Sequence, residues 1–590
     1  MRKFRLPKTQ LGRTLLSLGI TALVGFVHFY FNLPALNFHD EAFYGFLGLL
    51  ALVYMASIFL LSGGLHSDVE LSGKEKLKQW LRFIRNRCLP VGIAFVIVVV
   101  VTAVGQLLSM PIFRAAAYRD LLTVQTGDFA QDVTQISFDK IPTLDRQSAE
   151  YLGDRQMGTL SDMVSQFEYS NDSTQINYQG RPVRVAPIDY ADLIKWFTNR
   201  GEGLPAYVIV DMVTQEASVV RLNEGMKFSF SEPLNRNILR HLRFQYPTMM
   251  FSTPQFEIDE DGHPWWIAPR MVKTIGLFGG TDIKGAVLVD AVTGESEYME
   301  EVPTWVDTLY VPELIMQQYD YHGTYINGFI NSILGQRGVT VTTDGYNYIA
   351  MNDDVYVYTG VTSANADQSN LGFLLCNMRT KETHFYEAPG ATEEAAKLSA
   401  MGVVQDLGYK ATFPLLLNVA GEPTYFIPLK DATQLVKMYA MVNVAQYQIV
   451  ATGATVSACE NSYIQMLTDK GVTQPDARPQ TRVSGTVAEI RTAVLSGNSV
   501  YFLRLEDNGV FYAISAGQER DVVTVNVGDR VTIDHALPLD SADAAILDGY
   551  SLTIEARPVQ QQPLPSSPLQ QSFDALDAPP VITGSGLALS

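Results

Sequence analysis

Long apolar runs separated by short polar segments dominate the first 110 residues of the chain. Three runs, at about residues 15–33, 42–61 and 89–110, contain no Asp, Glu, Lys or Arg. Each has the length of α-helix, about 20 residues, that crosses a hydrocarbon core of about 30 Å. Basic residues precede the first run, as in a signal peptide, but no small-residue cleavage site follows it. The pattern predicts a membrane domain over residues 1–113 with three transmembrane helices.

The charges beside these runs are distributed unevenly. Residues 34–41, between the first two runs, include Asp40 and Glu41 but no Lys or Arg. The N-terminal arm and the second loop are rich in basic residues: Arg2, Lys3, Arg5, Lys8, Arg13, Lys74, Lys76, Lys78, Arg82, Arg85 and Arg87. Because basic flanks stay in the cytoplasm, we expect a cytoplasmic N-terminus and an extracytoplasmic location for residues after about 114. His28 is the one acidic or basic side chain inside the runs, so they predict anchoring rather than transport.

Beyond a polar connector at 114–158, residues 159–472 read as short strands separated by turns, with occasional helices. The spacing Gly-x-Pro-x-x-x-x-Pro begins at Gly180, Gly262 and Gly421. A second spacing, Asp or Asn followed by x-x-Thr-x-Glu, begins at Asp211, Asp290 and Asn377. Gly, Asp and Asn favour tight turns, and Pro fits a strand edge. The pattern predicts three to four copies of an antiparallel α+β unit, of which 235–300 is the clearest; the third keeps the second spacing alone and the fourth keeps the first.

Helix, hairpin and a strand that ends in Asp-x-x-Thr-Gly-Glu together resemble the PepSY domain, most closely at Ile283 to Glu300. This resemblance implies tandem PepSY-like units in an extracytoplasmic, membrane-anchored region. It also implies a non-catalytic role, in which the units bind or restrain another cell-envelope protein, protease inhibition included.

The C-terminal part of the chain separates into two segments. Residues 480–556 are predicted to be all-β, with strands at Val483–Ile490, Ser499–Leu505, Val510–Ser515, Val522–Val525 and Arg530–His535. Gly485-Thr486-Val487 and Val527 to Val531 resemble parts of a small OB-like barrel, a fold that often binds nucleic acid or sugar chains. Few basic residues line these strands, which favours a structural or protein-binding barrel. Residues 557–590 are rich in Pro, Gln and Ser, and this composition predicts a disordered tail.

Composition removes several classes of function. The net charge of −19 argues against a nucleic-acid partner. No metal-ligand spacing, phosphate loop or hydrolase motif occurs, so we expect no cofactor and no metal site. The acidic turn at 259–262 lacks the alternation of a calcium loop and reads as a hairpin turn. Of the three cysteines, Cys376 and Cys459 are the only pair in the large domain that could form a disulfide.

Two short clusters are candidates for chemistry or binding. Asp320 and His322, flanked by Tyr319 and Tyr321, could perform general acid–base work. No nucleophile or second carboxylate accompanies them, so a structural role is the simpler interpretation. Adjacent residues on a strand face opposite ways, so at most one ring of the Trp265–Trp266 pair is free to contact a partner.

The sequence therefore favours a non-catalytic, membrane-anchored scaffold or regulator that binds another envelope component, with strand edges, Trp265, Trp266, Tyr319 and Tyr321 as contact surfaces. Two alternatives stay open. One is an envelope hydrolase with its site near Asp320 and His322. The other is an accessory subunit of a membrane complex.

Overall fold

The computed structural model describes residues 9–62, 73–133, 141–160, 162–351, 353–364, 369–472, 480–495, 498–506, 509–517, 519–536 and 546–555. The fold is mixed α+β, with three long apolar helices at the N-terminal end and a β-rich remainder. This confirms the predicted class. The predicted tail at 557–590 lies outside the described residues.

The three N-terminal helices are α1 (Gln10–Asn32), α2 (Glu41–Ser62) and α3 (Gly73–Ser109). All three are long and apolar enough to cross a membrane. Thr9 caps α1, since its hydroxyl accepts a hydrogen bond from the Gly12 amide at 3.1 Å. Helix α3 begins 16 residues before the predicted span at 89, because its charged first half continues the same helix through Pro90.

The segment predicted as a polar connector contains regular structure. In chain order, its elements are α4 (Pro111–Arg119), β1 (Val124–Gly127), α5 (Phe129–Asp132) and α6 (Arg146–Gly158). Helix α6 is capped by Asp145, whose carboxylate accepts from the Ser148 amide at 2.8 Å. It is the helix of the first repeat.

Four structural repeats follow, and each combines a helix with a five-stranded sheet. Repeat 1 (146–226) consists of α6, β2 (Phe167–Tyr169), β3 (Thr174–Tyr178), β4 (Arg181–Tyr190), α7 (Leu193–Asn199), β5 (Leu204–Asp211) and β6 (Ala217–Met226). Repeat 2 (238–299) consists of α8 (Ile238–Gln245), β7 (Met250–Phe251), β8 (Gln255–Ile258), β9 (Pro264–Ile275), β10 (Gly279–Asp290) and β11 (Ser296–Met299).

The other two repeats likewise begin with a helix and continue with five strands, and repeat 3 has an additional short helix before its first strand. Repeat 3 (312–391) consists of α9 (Pro312–Thr324), α10 (Gly328–Ile330) with a π-helical turn at Asn331–Gly335, β12 (Thr340–Thr342), β13 (Asn347–Met351), β14 (Asp354–Ser363), β15 (Ser369–Asn377) and β16 (Thr383–Ala391). Repeat 4 (393–453) consists of α11 (Glu393–Val403), β17 (Lys410–Ala411), β18 (Leu415–Val419), β19 (Glu422–Lys430), β20 (Val436–Asn443) and β21 (Val450–Gly453), and α12 (Val456–Asp469) follows it.

All four sheets share one topology. The long third strand pairs with the two short strands before it on one side and with the fourth strand on the other, and the fifth strand pairs with the fourth. The second Pro of the Gly-x-Pro spacing marks the position where the third strand changes partner. There the carbonyls of Pro187, Pro269 and Pro428 accept from the amides of Ser170, Ser252 and Thr412, and Gly360 accepts from Thr343 in repeat 3.

The second spacing forms the turn between the fourth and fifth strands. In repeats 1 to 3 the carboxylate or amide oxygen of Asp211, Asp290 or Asn377 accepts from the amides two and three residues ahead. Repeat 4 keeps this arrangement without the sequence pattern, since Asn443 accepts from the Gln446 amide at 2.8 Å across a longer loop. In repeat 3, Asp353 with φ +68° stands where the other repeats use Gly.

The second repeat is held against the N-terminal helices. Arg240 Nε donates to the Tyr30 carbonyl at 3.0 Å, and Arg243 Nε donates to the Leu33 carbonyl at 2.9 Å. At the other side of the repeat, the Ser109 hydroxyl accepts from the amides of Leu277 and Phe278, both at 3.0 Å. The end of α1 and the end of α3 are therefore both bonded to repeat 2.

Buried side chains form separate cores. One core joins repeats 1 and 2, with Trp266 and Phe256 among its largest members. Another core lies mainly in repeats 3 and 4, around Tyr425, Phe426 and Tyr463. A smaller core joins repeat 2 to the start of repeat 3, through Ile267, Leu288 and Leu314. Neighbouring repeats therefore share cores, as units of a repeat protein do.

The C-terminal unit is a closed barrel with strand order β22-β23-β24-β26-β25. Its strands are β22 (Gln480–Leu495), β23 (Asn498–Leu505), β24 (Phe511–Ser515), β25 (Arg530–Ala536) and β26 (Ile546–Ile554). The predicted strand at Val522–Val525 is wrong. Val522 to Thr524 belong to a 3-10 turn, Arg520–Thr524, and Val525 follows it; Val522 and Val525 are buried in the barrel core. A run of β-branched residues resembled a strand because the sequence does not reveal which of them face inward.

Candidate functional site

The open edge of the repeat 1 sheet is the surface best suited to receive a partner. Strand β6 is the last strand of that sheet and pairs on one side with β5, from Ala217 opposite Val210 to Arg221 opposite Ala206. Ser218, Arg221, Asn223 and Glu224 are exposed along it. In an antiparallel pair, alternate residues point their amide and carbonyl groups away from the neighbouring strand. Because the Glu216 carbonyl bonds to the Asp211 amide at 2.9 Å, the outward-pointing backbone groups belong to Ala217, Val219 and Arg221.

The corresponding strands of the other repeats are shorter or covered. In repeats 2 and 4 the fifth strand has only four residues, and α12 packs against the one in repeat 4. In repeat 3 the fifth strand is β16, and its edge is occupied by β1, which pairs with it in parallel from Val124 opposite Thr383 to Gly127 opposite Tyr386. Within the described part of the chain, β6 is thus the long fifth strand without a strand on its outer side.

Local sequence fixes both ends of β6. At its start, the Asp211 turn is joined to the preceding hairpin by an ion pair between Arg181 and Asp211 at 2.7 Å. At its end, Gly203 has φ +84°, and a Cβ there would collide with the Met226 carbonyl. Glycine is therefore required for the close approach of the two strands. The edge is a preformed strand rather than a loop.

A cavity of about 580 Å³ lies beside the start of this edge. Its lining includes Tyr178, Arg181, Asp211, Glu216 and Ser218. The mixture of one cation, two carboxylates and a phenol suits a polar side chain of a bound segment. Burial raises the pKa of Tyr178, with the acidic turn at 259–261 adding to the effect, so this phenol stays protonated and can donate a hydrogen bond.

The two predicted tryptophans occupy different environments. Trp266 is 1% exposed, and its indole donates to the Phe228 carbonyl at 2.8 Å inside the core. Trp265 is half-buried, donates to Asp259 at 3.1 Å and packs against Trp305 with ring centroids 5.8 Å apart. Only Trp265 retains surface that a partner could contact.

The predicted cluster around Asp320 lies on α9, which packs against α4. Asp320 accepts from the Thr342 amide at 2.8 Å and from its hydroxyl at 3.1 Å, while His322 Nδ1 lies 3.1 Å from the Arg119 carbonyl. The two side chains thus have different partners on different elements, and they do not converge on a shared site. Burial raises the pKa of Asp320, which its two hydrogen bonds from Thr342 partly offset.

The tyrosines beside them have packing roles. Tyr319 is 4% exposed, and burial raises its pKa to about 12. The ring of Tyr321 lies against that of Tyr118, with centroids 4.7 Å apart. Of the four residues that the sequence placed in one candidate site, His322 and Tyr321 therefore join repeat 3 to α4, while Asp320 bonds to Thr342 within repeat 3.

A pair of buried carboxyl groups escaped sequence analysis. Glu257 is fully buried and accepts from the amides of Asp307 and Thr308, both at 2.9 Å. Asp307 is 2% exposed and accepts from the Asn177 amide at 2.6 Å. Burial raises the pKa of both groups, and the proximity of Glu257 raises that of Asp307 further. The pair ties β3 and β8 to the segment that leads into repeat 3.

The arrangement of the His, Cys, Asp and Glu side chains bears on metal binding and on disulfide formation. Among the described residues, no group of three or more His, Cys, Asp or Glu side chains is arranged to hold a metal ion. Cys376 and Cys459 are both free and buried, so the disulfide that the sequence left open is not formed. Burial raises the pKa of the Cys376 thiol to about 12. Buried, protonated thiols of this kind are unreactive.

Comparison with known proteins adds no family assignment. No family model matches the chain, and no curated protein matches it.

Proposed function

We propose that this protein is a non-catalytic, membrane-anchored scaffold or regulator of the cell envelope, and that it binds an extended segment of another envelope protein along β6. The bound segment would add a strand to the sheet, a mode in which backbone hydrogen bonds give affinity and side-chain pockets give specificity. The observation that carries the proposal is that the outer edge of β6 is open, whereas β1 pairs with the equivalent edge of β16 in repeat 3.

The chain itself supplies a precedent for strand addition. Strand β1 comes from the connector and has four residues, which pair with Thr383–Tyr386 at the start of the nine-residue strand β16. Strand β6 has ten residues and the same place in its repeat. Long uncovered edges favour aggregation, and proteins usually shorten, charge or cover them. A partner strand would cover this one.

The membrane placement rests on charge and hydropathy. Three helices could cross a membrane. The basic residues of the N-terminal arm and the second loop favour a cytoplasmic N-terminus, which would put the repeats outside the cytoplasm. The helix and five-stranded sheet of each repeat are compatible with PepSY-like units, which the sequence resemblance suggests. The barrel, in which β24 and β26 run parallel, is compatible with an OB-like module.

Site-specific photo-cross-linking in native membranes tests the proposal. A photoreactive residue replaces Asn223, which is exposed on the edge, in the full chain. We expect a discrete cross-link to one envelope protein. Val219→Pro removes an outward-pointing amide from the edge and should reduce that cross-link at least tenfold, because the added strand loses a hydrogen bond and meets the proline ring.

Val219→Ala is the matched control, because it shortens the same side chain but keeps the amide. It should leave most of the cross-link intact. Equal loss in both variants would mean that the edge backbone is not the contact. Absence of any specific cross-link, together with turnover of a peptide or glycan by the purified protein, would overturn the proposal in favour of the hydrolase alternative.

A further inference from the structure

Among the residues that the structure describes, two groups of strongly exposed apolar side chains lie near the ends of the N-terminal helices. The first, the α7 surface, is formed by Leu193, Ile194 and Phe197. The second, the 330–334 surface, is formed by Ile330, Ile333 and Leu334. We infer that both surfaces insert into the bilayer leaflet on the side of the repeats, so that the repeats lie on the membrane rather than only being tethered to it.

The α7 surface is strongly amphipathic. Leu193, Ile194 and Phe197 are 69%, 72% and 61% exposed. Trp196 points the other way, where its indole donates to Glu232 at 2.8 Å. Asp192 caps the helix by accepting from the amides of Ile194 and Lys195. Thr198 and Arg200 border the apolar side chains, and the Arg200 guanidinium lies 4.6 Å from the centroid of the Phe197 ring. A helix with an apolar outer side and a basic border is typical of segments that lie in the membrane interface.

A chain of contacts connects α7 to the end of α1. Arg236 donates to the Arg200 carbonyl at 2.7 Å, directly after α7. Its neighbour Asn235 accepts from the Tyr30 hydroxyl at 3.2 Å. Tyr30 lies two residues before the last residue of α1. The apolar side chains of α7 are therefore close to the position where this membrane helix leaves the hydrocarbon core.

The 330–334 surface is connected to the end of α3 by a similar chain of contacts. Ile330, Ile333 and Leu334 are 72%, 59% and 82% exposed. The ring of Phe329 stacks on that of Tyr325, which in turn contacts Tyr118.

The contacts continue to the last residue of α3. Tyr118 donates from its hydroxyl to the Ser109 carbonyl at 2.7 Å. Ile112 and Phe113, in the segment between, are also more than half exposed. Exposed apolar side chains therefore occur both at the start of α4 and on the 330–334 surface, and the buried Tyr118 links the two to the end of α3.

Position favours lipid over a protein as the occupant. Large exposed apolar patches mark protein or membrane contacts. Two patches that are more than 130 residues apart in sequence each lie beside the end of a different membrane helix, so one bilayer surface reaches both. Aromatic residues cluster with them, as they do at membrane interfaces, where an apolar ring and a polar tip are both accommodated. This inference does not depend on the proposed partner of β6.

Depth-sensitive fluorescence of the full chain tests the inference. Cys88→Ser removes the accessible thiol, because Cys376 and Cys459 are buried. Single cysteines are introduced as Ile194→Cys or Ile333→Cys and labelled with a polarity-sensitive dye. Leu398→Cys is the control, since Leu398 is an apolar residue on α11 with a similar exposure of 58%. The proteins are reconstituted in phosphatidylcholine vesicles with or without brominated acyl chains.

We expect brominated lipid to reduce the fluorescence at positions 194 and 333 about twofold, because interfacial side chains reach the upper acyl chains. The dye at position 398 should be unaffected by the lipid and accessible to aqueous iodide. Dyes at 194 and 333 that respond to iodide like the control would overturn the inference. Dyes shielded from both quenchers would also overturn it, because protein would then cover these surfaces.

Discussion

At the residue scale, the least expected feature is the buried pair Glu257 and Asp307. By strand alternation, Phe256 and Ile258 face the core and Glu257 faces away from it. The sequence therefore indicates a solvent-exposed acid. In the folded chain, the segment before repeat 3 covers this outer side and supplies the amides of Asp307 and Thr308 as hydrogen-bond donors. The contact joins residues 50 positions apart, so local pattern gave no sign of it.

Because of this pair, we expect the free energy of unfolding to depend on pH. Its folded-state pKa values lie above those of the unfolded chain, so the folded protein holds protons that the unfolded chain releases. The stability contribution is therefore complete below the unfolded pKa values, at about pH 4, and is lost as the pH rises through the folded ones. Each unit of difference between the folded-state and the unfolded-state pKa of a group corresponds to about 1.4 kcal/mol of stability.

Asp307→Asn isolates this effect, because an amide oxygen can still accept from the Asn177 amide. We expect the unfolding temperature of the full chain in detergent to fall less between pH 5 and pH 8 than in the wild type. Asp162→Asn is the control, since Asp162 is exposed and its pKa is lowered by its hydrogen bond to Arg221. If Asp307→Asn and the control show the same pH profile as the wild type, the pair does not govern this dependence.

At the element scale, the four repeats show which sequence spacings are required by the turns of the fold. The Gly-x-Pro spacing and the Asp-x-x-Thr spacing were readable because turns restrict residue type at fixed positions. Repeat 4 forms its last turn with Asn443 in a longer loop, and no fixed spacing survives there. Strand length was less readable: residues Pro264–Ala268 read as a strand in the sequence, and β9 extends this strand to Ile275.

An irregularity in β10 gives a prediction at this scale. Its pairing with β9 shifts register between Ile283 and Ala286, where Gly285 has φ +69° and lies against the Met299 carbonyl. Gly285→Ala should lower the free energy of unfolding by at least about 2 kcal/mol, through left-handed strain and a backbone collision. Thermal unfolding of the full chain in detergent measures it.

Gly402→Ala serves as the control for Gly285→Ala, because Gly402 lies in α11 with open space around it. Alanine favours the helix there, so this change should stabilise the protein by up to about 1 kcal/mol. Equal and small effects of the two substitutions would show that the β10 register is not held by glycine.

At the scale of the whole molecule, the chain consists of two compact units, and the barrel is the smaller. The barrel has its own core, in which Val487, Leu503, Ile514, Val531 and Ile533 are fully buried. A fragment covering residues 480–556 should therefore fold alone and unfold cooperatively, as followed by circular dichroism. Ile533→Ala should destabilise this fragment by about 2–5 kcal/mol. A fragment without a cooperative transition would mean that the barrel needs the rest of the chain.

The sequence by itself determined the three apolar helices, the mixed α+β class and most of the repeat turns. Each of these depends on local properties: apolar length, strand alternation and the few residues that accept a positive φ. Tertiary structure alone decided that β1 covers β16 while β6 stays open, that Glu257 is buried, and that Asp320 and His322 have separate partners. These outcomes depend on contacts between distant segments. Edge coverage and burial are properties of assembled sheets, and no stretch of one strand encodes which neighbour will reach it.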